Sequence, residues 1–271
     1  MDTTLFFPIN LLERYDVIWS FLLVFTRFAA MMTIVPGVGG GIRGMTIRIP
    51  AILFMTYAAT INGAYAEMPA DWGAVIAGIF SELLFGLMLG AIPAMVIAGV
   101  QTGMQLSSTA MGLSAGQMYD PTMGISITPL SRFVGDLTIC FFLLFGGHHY
   151  VIYAASGLGG VIVPGSFLIT ETGIKLLIDR SALIFEAGVM VSAPAIVAIL
   201  LTKFVMGLIS RAVPQVNIFI IAFPLTIGIG LILTALSIPE IAEYVERDFK
   251  RSEQEILVLS NETKQIKQVD K

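Results

Sequence analysis

The chain has 271 residues, of which 56% are hydrophobic and 13% are charged, and its formal net charge is −4. Soluble domains carry about 25% charged residues, so this composition excludes an ordinary soluble domain. Charged residues are absent from four long stretches: 83–119, 137–170, 187–202 and 212–239. Because about 20 apolar residues cross the hydrocarbon core of a bilayer, the sequence predicts an all-α polytopic membrane protein.

Seven apolar runs are candidate membrane spans. They lie near residues 16–36, 49–66, 73–100, 125–145, 148–165, 182–205 and 215–236. The fourth and fifth runs are either two spans or one re-entrant hairpin around Gly146 and Gly147. The predicted number of spans is therefore six or seven.

The chain contains 27 glycines and 12 prolines, many of them inside or at the ends of these runs. Irregular backbone at membrane depth persists only where it is buried in protein or faces water. The helices are therefore expected to be kinked and to pack against neighbouring proteins. Three glycine pairs at i, i+4 spacing predict close helix packing, although such pairs also arise by chance in a glycine-rich chain: Gly86 with Gly90, Gly99 with Gly103, and Gly112 with Gly116.

Charged residues inside or beside the spans are few, and each costs about 2.5–3.5 kcal/mol at the membrane centre unless it faces protein or water. They are Arg27, Glu82, Arg132, Asp136, Glu186, Lys203 and Arg211. Arg132 and Asp136 are four residues apart and are predicted to pair on one helix face. Glu82 and Glu186 are candidates to pair with Arg27 or Lys203. An ion pathway would need more carboxylates along one route.

No pattern of catalytic or metal-binding residues is present. His148 and His149 are adjacent, so on a helix their side chains diverge by about 100° and do not chelate one metal. The chain has no zinc-protease, nucleotide-binding or serine-nucleophile motif. Its single cysteine, Cys140, is expected to be a small buried apolar residue. The sequence thus predicts no catalytic residue, no metal site and no cofactor.

The segment from Gln101 to Gly124 is uncharged up to Asp120 and rich in Ser, Gly, Gln and Met. It is too polar to face lipid and too apolar for an ordinary exposed loop. Flexible methionines can seal an irregular gap, so the segment suits a stopper in a protein-lined cavity, although core methionines are the alternative. The candidate plug residues are Met104, Met111, Gln117, Met118, Asp120, Pro121 and Met123.

The charged tail reads as an amphipathic helix from Ser237, with Ile241, Val245 and Phe249 on one face. It either lies at an interface, docks a partner or is a solvated helical end. Lys175 and Arg180 are interpreted as loop charges. The chain accordingly divides into residues 1–124, which end in a plug loop at about 105–124, residues 125–240, and a tail of residues 241–271.

Several strings resemble the FliR/SctT family, the R-type subunits of the export gate in flagellar and virulence type III secretion machines. They are Phe25-Thr26-Arg27 with Val35-Pro36-Gly37, Ser81-Glu82-Leu83-Leu84-Phe85-Gly86, Gln101 and Gly103, Asp120-Pro121, Gly146-Gly147-His148, Pro164-Gly165, Ala193-Pro194, Arg211-Ala212-Val213-Pro214-Gln215-Val216-Asn217-Ile218-Phe219, and Phe223-Pro224-Leu225. The resemblance covers roughly residues 15–240. Its most specific part contains Pro214, Gln215 and Asn217.

The resemblance implies a helical ring of hairpins built with P-type and Q-type subunits, in which residues 1–124 pack like a P-type subunit and the later hairpin like a Q-type one. A B-type switch subunit is expected at the cytosolic mouth, membrane lipid around the ring and no nucleic acid. Unfolded substrate proteins would pass through the pore, with residues 105–124 as the plug. The implied location is the bacterial inner membrane, within the flagellar basal body.

The residues alone are consistent with two other classes of protein. A secondary transporter with broken helices would move a small solute through a site at the membrane midplane. A membrane enzyme would use the histidine pair or Glu82, but it lacks a motif. Deleting residues 106–119 is expected to leave a gate assembled but leaky.

Overall fold

The computed structural model describes residues 15–37, 41–114, 127–157, 163–167, 171–213, 215 and 217–269. Within these ranges the chain is helical and has no strand, which agrees with the predicted all-α fold. The helices are α1 (Tyr15–Ile34), α2 (Gly41–Asn62), α3 (Trp72–Met111), α4 (Pro129–Leu144), α5 (Gly147–Ser156), α6 (Glu171–Ala212) and α7 (Ile218–Val269). Each of the seven apolar runs overlaps one of them.

Fewer helices than predicted are long and apolar enough to cross a membrane. Among the described residues they are α1, α3, α6 and α7, while α4 and α5 enclose a bend of 63° and together supply at most one more. The number of candidate spans is therefore four or five rather than six or seven. In α2 the charge-free stretch is only residues 49–62, which is too short for a span.

The chain forms two compact units, each assembled from separate stretches. Unit 1 contains Met1–Ala94, Gly146–Asp179 and Phe249–Lys271; unit 2 contains Met95–Phe145 and Arg180–Asp248. The predicted division into residues 1–124, 125–240 and 241–271 follows the order of the chain. Long helices supply residues to both units, since α3, α6 and α7 each continue past a unit boundary.

In unit 1, α1 packs against α2, α5 and the first half of α3. A Cβ atom added to Gly86 of α3 would lie 2.3 Å from the carbonyl oxygen of Arg27, and one added to Gly90 would lie 2.8 Å from that of Met31. Real Cβ atoms do not approach this closely, so only glycine lets these two backbones meet. This confirms the close packing predicted from the first glycine pair.

In unit 2, the second glycine pair packs in the same way against α6. A Cβ on Gly99 would lie 2.9 Å from the Cβ of Ala187, and one on Gly103 would lie 2.6 Å from the oxygen of Gly188. The neighbouring core is formed by Met111, Ala195 and Ile199. Gly116, the second member of the third pair, lies outside the described residues.

The charged tail is not a separate helix. It continues α7, which begins at Ile218 rather than Ser237 and extends to Val269. Glu, Lys and Arg are good helix formers, so the helix does not end where the apolar run ends. Ile241, Val245 and Phe249 are buried, as their spacing on one apolar face indicates.

Candidate functional site

A buried ion pair in unit 1 joins α1 to α3. Arg27 and Glu82 are both fully buried. The Nε atom of Arg27 donates to Oε2 of Glu82 at 2.6 Å, and its Nη2 atom donates to Oε1 at 2.9 Å. Two parallel hydrogen bonds of this kind are the strongest form of an arginine–carboxylate contact. The predicted pairing of Arg27 with Glu82 is therefore confirmed.

The same two side chains also hold backbone groups of unit 1. Arg27 donates from Nη1 to the carbonyl oxygen of Ala155 at 3.1 Å, and this oxygen belongs to the last turn of α5, where helix carbonyls lack helical partners. The N–H of Gly165 donates to Oε1 of Glu82 at 2.6 Å. Glu82 thus fixes the segment 163–167, in which Gly165 has a φ of +73°.

Aromatic rings close the site around the ion pair. The Cζ atom of Arg27 lies 5.0 Å from the centre of the Phe85 ring, within cation–π distance. The Phe85 ring packs on that of Phe167, with 4.7 Å between centroids. The Oγ of Ser81 donates to the Phe167 carbonyl at 2.8 Å. These contacts make the pair a clamp on α1, α3, α5 and segment 163–167.

A second ion pair lies in unit 2, where sequence reasoning did not expect one. Nη1 of Arg180 in α6 donates to Oδ2 of Asp248 in α7 at 2.6 Å, and the two side chains are only 3% and 11% exposed. The interpretation of Arg180 as a loop charge is wrong, because α6 begins at Glu171, before its apolar run. Asp248 belongs to the amphipathic tail, and its side chain is buried against α6 because α7 continues well beyond its apolar run. The available signal was the spacing of Asp248 from Ile241 and Val245, which places it beside the buried face.

The remaining charged residues inside or beside the predicted spans have no ion-pair partner in the part of the chain that the structure describes. They are exposed residues of unit 2: Arg132, Asp136, Glu186, Lys203 and Arg211. The predicted pairing of Arg132 with Asp136 is wrong. A base placed N-terminal to an acid is the poorer i, i+4 orientation, and both side chains are free to reach solvent or a partner. Glu186 and Lys203 do not pair with each other either.

The first third of the predicted plug, residues 105–111, is helical. α3 continues to Met111, so residues 105–111 belong to its last turns rather than to a loop. The helix ends in a Schellman motif: Leu113 N–H donates to Ser108 O, Gly112 N–H donates to Thr109 O, and Gly112 has a φ of +93°. Met104 and Met111, two of the candidate plug residues, are buried in unit 2.

The start of α4 is anchored on α3. Thr128 is the N-cap of α4, and its hydroxyl accepts a hydrogen bond from the N–H of Ser131. Oε1 of Gln105 accepts from both the N–H and the hydroxyl of Thr128, at 2.9 and 3.0 Å. Gln101 adds a carbonyl that accepts from the Ser131 hydroxyl at 2.8 Å. The remaining candidate plug residues, Gln117, Met118, Asp120, Pro121 and Met123, lie outside the described residues.

The turn between α6 and α7 carries the most specific string of the sequence. Arg211, Gln215 and Asn217 are exposed there, and Pro214 lies outside the described residues. The carbonyl of Asn217 accepts from the N–H of Ile220 at 3.2 Å, while no hydrogen bond of this turn uses the Gln215 or Asn217 side chain among the described contacts. These polar groups thus face outward from the chain.

The residues that could support metal or thiol chemistry are not assembled into a site. Within the described ranges, no group of three or more His, Cys, Asp or Glu residues could hold a metal ion. The rings of His148 and His149 contact each other, with 4.0 Å between centroids. Cys140 is exposed, contrary to expectation, because it follows the exposed Arg132 and Asp136 at i, i+4 spacing on α4.

Comparison with known proteins gives one consistent family. Residues 18–252 match the family described as Bacterial export proteins, family 1. The chain is 31% identical to flagellar biosynthetic protein FliR of Escherichia coli (strain K12) over 208 residues, 75% of this chain and 78% of that protein. It is 30% identical to FliR of Caulobacter vibrioides over 223 residues, 81% and 88% of the two chains. With FliR of Aquifex aeolicus (strain VF5) the identity is 27% over 252 residues, 90% and 91% of the two chains. Because these matches extend over most of its length, the chain belongs to the FliR family of bacterial export proteins.

Proposed function

We propose that this chain is a channel-forming subunit of a flagellar export gate, and that the segment between α3 and α4 plugs the pore. One observation carries the proposal. The segment leaves α3 at the Schellman turn around Gly112 and returns at the capped Thr128, and Gln105 holds the returning end on α3. Fixing both ends of a short segment limits the volume that it samples. A stopper must return to one place after each opening, and such anchors favour this.

The unpaired charges of unit 2 support assembly with other proteins. Arg132, Asp136, Glu186 and Lys203 are exposed on apolar helices, where contact with lipid would be costly. Facing a neighbouring subunit or a water-filled pore removes this cost. We infer that the neighbours are P-type and Q-type subunits, with a B-type subunit at the cytosolic mouth, in the bacterial inner membrane. Unfolded export substrates would then pass through the pore that these subunits enclose.

A solute transporter is not favoured. The relatives carry the name of flagellar biosynthetic proteins, and the matched family is one of export proteins. Within the described residues, the buried carboxylate Glu82 is engaged by Arg27 and by the Gly165 N–H. It is therefore held as a structural group and not as a site for a transported cation.

Shortening the plug is the test of the proposal. Replacing residues 116–124 with Gly-Gly-Ser should leave the gate assembled, because both anchors of the segment remain, but should change it from tight to ion-conducting. A deletion of 106–119 is less clean, since it would also remove the buried Met111. Purified complexes are compared by size-exclusion chromatography and by single-channel conductance in planar bilayers.

The matched control keeps the apolar volume of the segment. Met118→Leu combined with Met123→Leu preserves side-chain size, so we expect this complex to stay tight. If an assembled gate with the shortened segment were as tight as the wild-type gate, the segment would not be the plug.

A further inference from the structure

Unit 2 contains a cleft of about 820 Å³ that the described part of the chain leaves open. Its floor is formed by one face of α6, where Lys203, Met206, Gly207 and Ser210 follow at i, i+3, i+4 and i+7. The opposite wall is the start of α7, from Ile220 to Thr226, and the end of α3 closes one side. All of these residues belong to one unit.

Lys203 is the sole titratable group among the described residues that line the cleft. It is exposed, and no ion pair joins it to any described residue. The buried Arg27 and Arg180 each have a carboxylate partner, whereas the exposed Lys203 has none among the described residues. An ammonium group among apolar walls is stabilised by an anion, and no described residue of the cleft supplies one.

The floor of the cleft allows a second helix to approach α6 closely. A Cβ added to Gly207 would have no atom within 4 Å, so the space above this glycine is open. Ser210 is also small, and its hydroxyl is already bonded to the Gly207 carbonyl at 2.7 Å. Small residues on a helix face let the backbone of a second helix come near, which is typical of helix contacts in membranes.

We propose that this cleft receives a membrane helix of a different protein, and that Lys203 pairs with an aspartate or glutamate on that helix. The inference rests on the proposed function, because it names the chemistry by which the gate subunit recognises a neighbour. The charge selects the partner, and the open space over Gly207 sets how closely its helix packs. Since Met111 and Gly112 also line the cleft, the partner would contact the turn from which the proposed plug departs.

A second copy of this chain would not supply the negative charge that pairs with Lys203. Copies inserted in the same orientation, and related by an axis along the membrane normal, would bring Lys203 against Lys203. Like charges at this distance repel. An anionic lipid is the alternative occupant, and the small residues Gly207 and Ser210 favour a closely packed helix over a lipid at the floor of the cleft.

Charge reversal tests the inference. The full chain is expressed with the other export proteins of its own apparatus and purified through a tag, and the co-purified proteins are quantified by mass spectrometry. Lys203→Glu should reduce their recovery roughly tenfold or more, since it places two carboxylates face to face. Lys203→Met should cause a smaller loss, because it leaves one carboxylate unpaired without repulsion. The control is Lys175→Glu, at an exposed lysine of the same helix in unit 1, which should leave recovery unchanged.

Compensation identifies the partner residue. In the Lys203→Glu background, reversing one membrane-embedded Asp or Glu of a co-purified protein to Lys should restore recovery. Wild-type recovery with Lys203→Glu would overturn the inference. So would native mass spectrometry in which this variant keeps its protein partners but loses a bound anionic lipid. Failure of the wild-type chain to co-purify with any export protein would instead contradict the proposed function. The level and thermal stability of each variant in membranes separate these outcomes from misfolding.

Discussion

Replacing Glu82 with leucine is expected to destabilise the chain by about 3–5 kcal/mol, because it leaves the guanidinium of Arg27 buried without a counter-charge. The Gly165 N–H would lose its acceptor in the same step, and the segment 163–167 would lose its anchor on α3. We expect little folded protein in membranes and a thermal midpoint far below that of the wild type. Fluorescence-detected size-exclusion chromatography of heated, detergent-solubilised samples measures both.

Two further variants show whether the missing counter-charge is the cause. Glu186→Leu removes an exposed carboxylate of α6 that has no ion-pair partner among the described residues, so the folded chain should keep its midpoint. Combining Glu82→Leu with Arg27→Met replaces both charges by apolar groups and should recover much of the loss. Recovery stays incomplete because the Gly165 N–H and the Ala155 carbonyl lose their partners. Equal midpoints for Glu82→Leu and Glu186→Leu would show that the clamp does not stabilise the fold.

Adding one methyl group at Gly86 is expected to destabilise the chain by about 1–3 kcal/mol or more, the usual cost of overpacking a close contact. In Gly86→Ala the new Cβ would lie 2.3 Å from the Arg27 carbonyl oxygen. That oxygen is a backbone atom, so α1 and α3 must move apart to make room. The movement would also strain the bidentate contact between Arg27 and Glu82. The same heating assay measures the loss.

Gly228→Ala is the matched control for this substitution. It adds the same methyl group to α7, where no atom lies within 4 Å of the added Cβ. Alanine favours helix over glycine by about 1 kcal/mol, so the control should be neutral or slightly stabilising. A Gly86→Ala protein as stable as Gly228→Ala would mean that the helices of unit 1 are not held at the distance seen here.

The positions of the helices follow from hydrophobic runs, but their ends do not. Each apolar run overlaps a helix, because burying a run of about 20 apolar residues requires satisfied backbone groups. Yet α6 begins at Glu171 and α7 extends to Val269, well past the apolar residues. Charged side chains stop a membrane span without stopping a helix. The pair Arg180–Asp248 was missed for this reason.

The contacts within the site were predictable where the chemistry allowed few alternatives. Arg27 and Glu82 lie inside apolar runs, where burial without a partner is too costly, and they do pair. Gly86 with Gly90, and Gly99 with Gly103, lie at helix contacts. In each pair the spacing of four residues places both glycines on one face of α3. The role of Gln105 was not predictable. Its acceptor serves Thr128, and nothing in the sequence indicates which distant N-cap a glutamine will reach.

Locating a substrate inside the gate tests whether this chain lines and plugs the pore. A photoreactive amino acid is placed at Met118 or Met123 of the proposed plug, and at Trp72 at the start of α3 as an exposed control. An export substrate fused to a domain that cannot unfold is then stalled in the assembled gate, and the crosslinks are mapped. We expect substrate crosslinks from positions 118 and 123 and none from position 72. A stalled substrate that crosslinks at position 72 but at neither plug position would contradict a pore lined and closed by this chain.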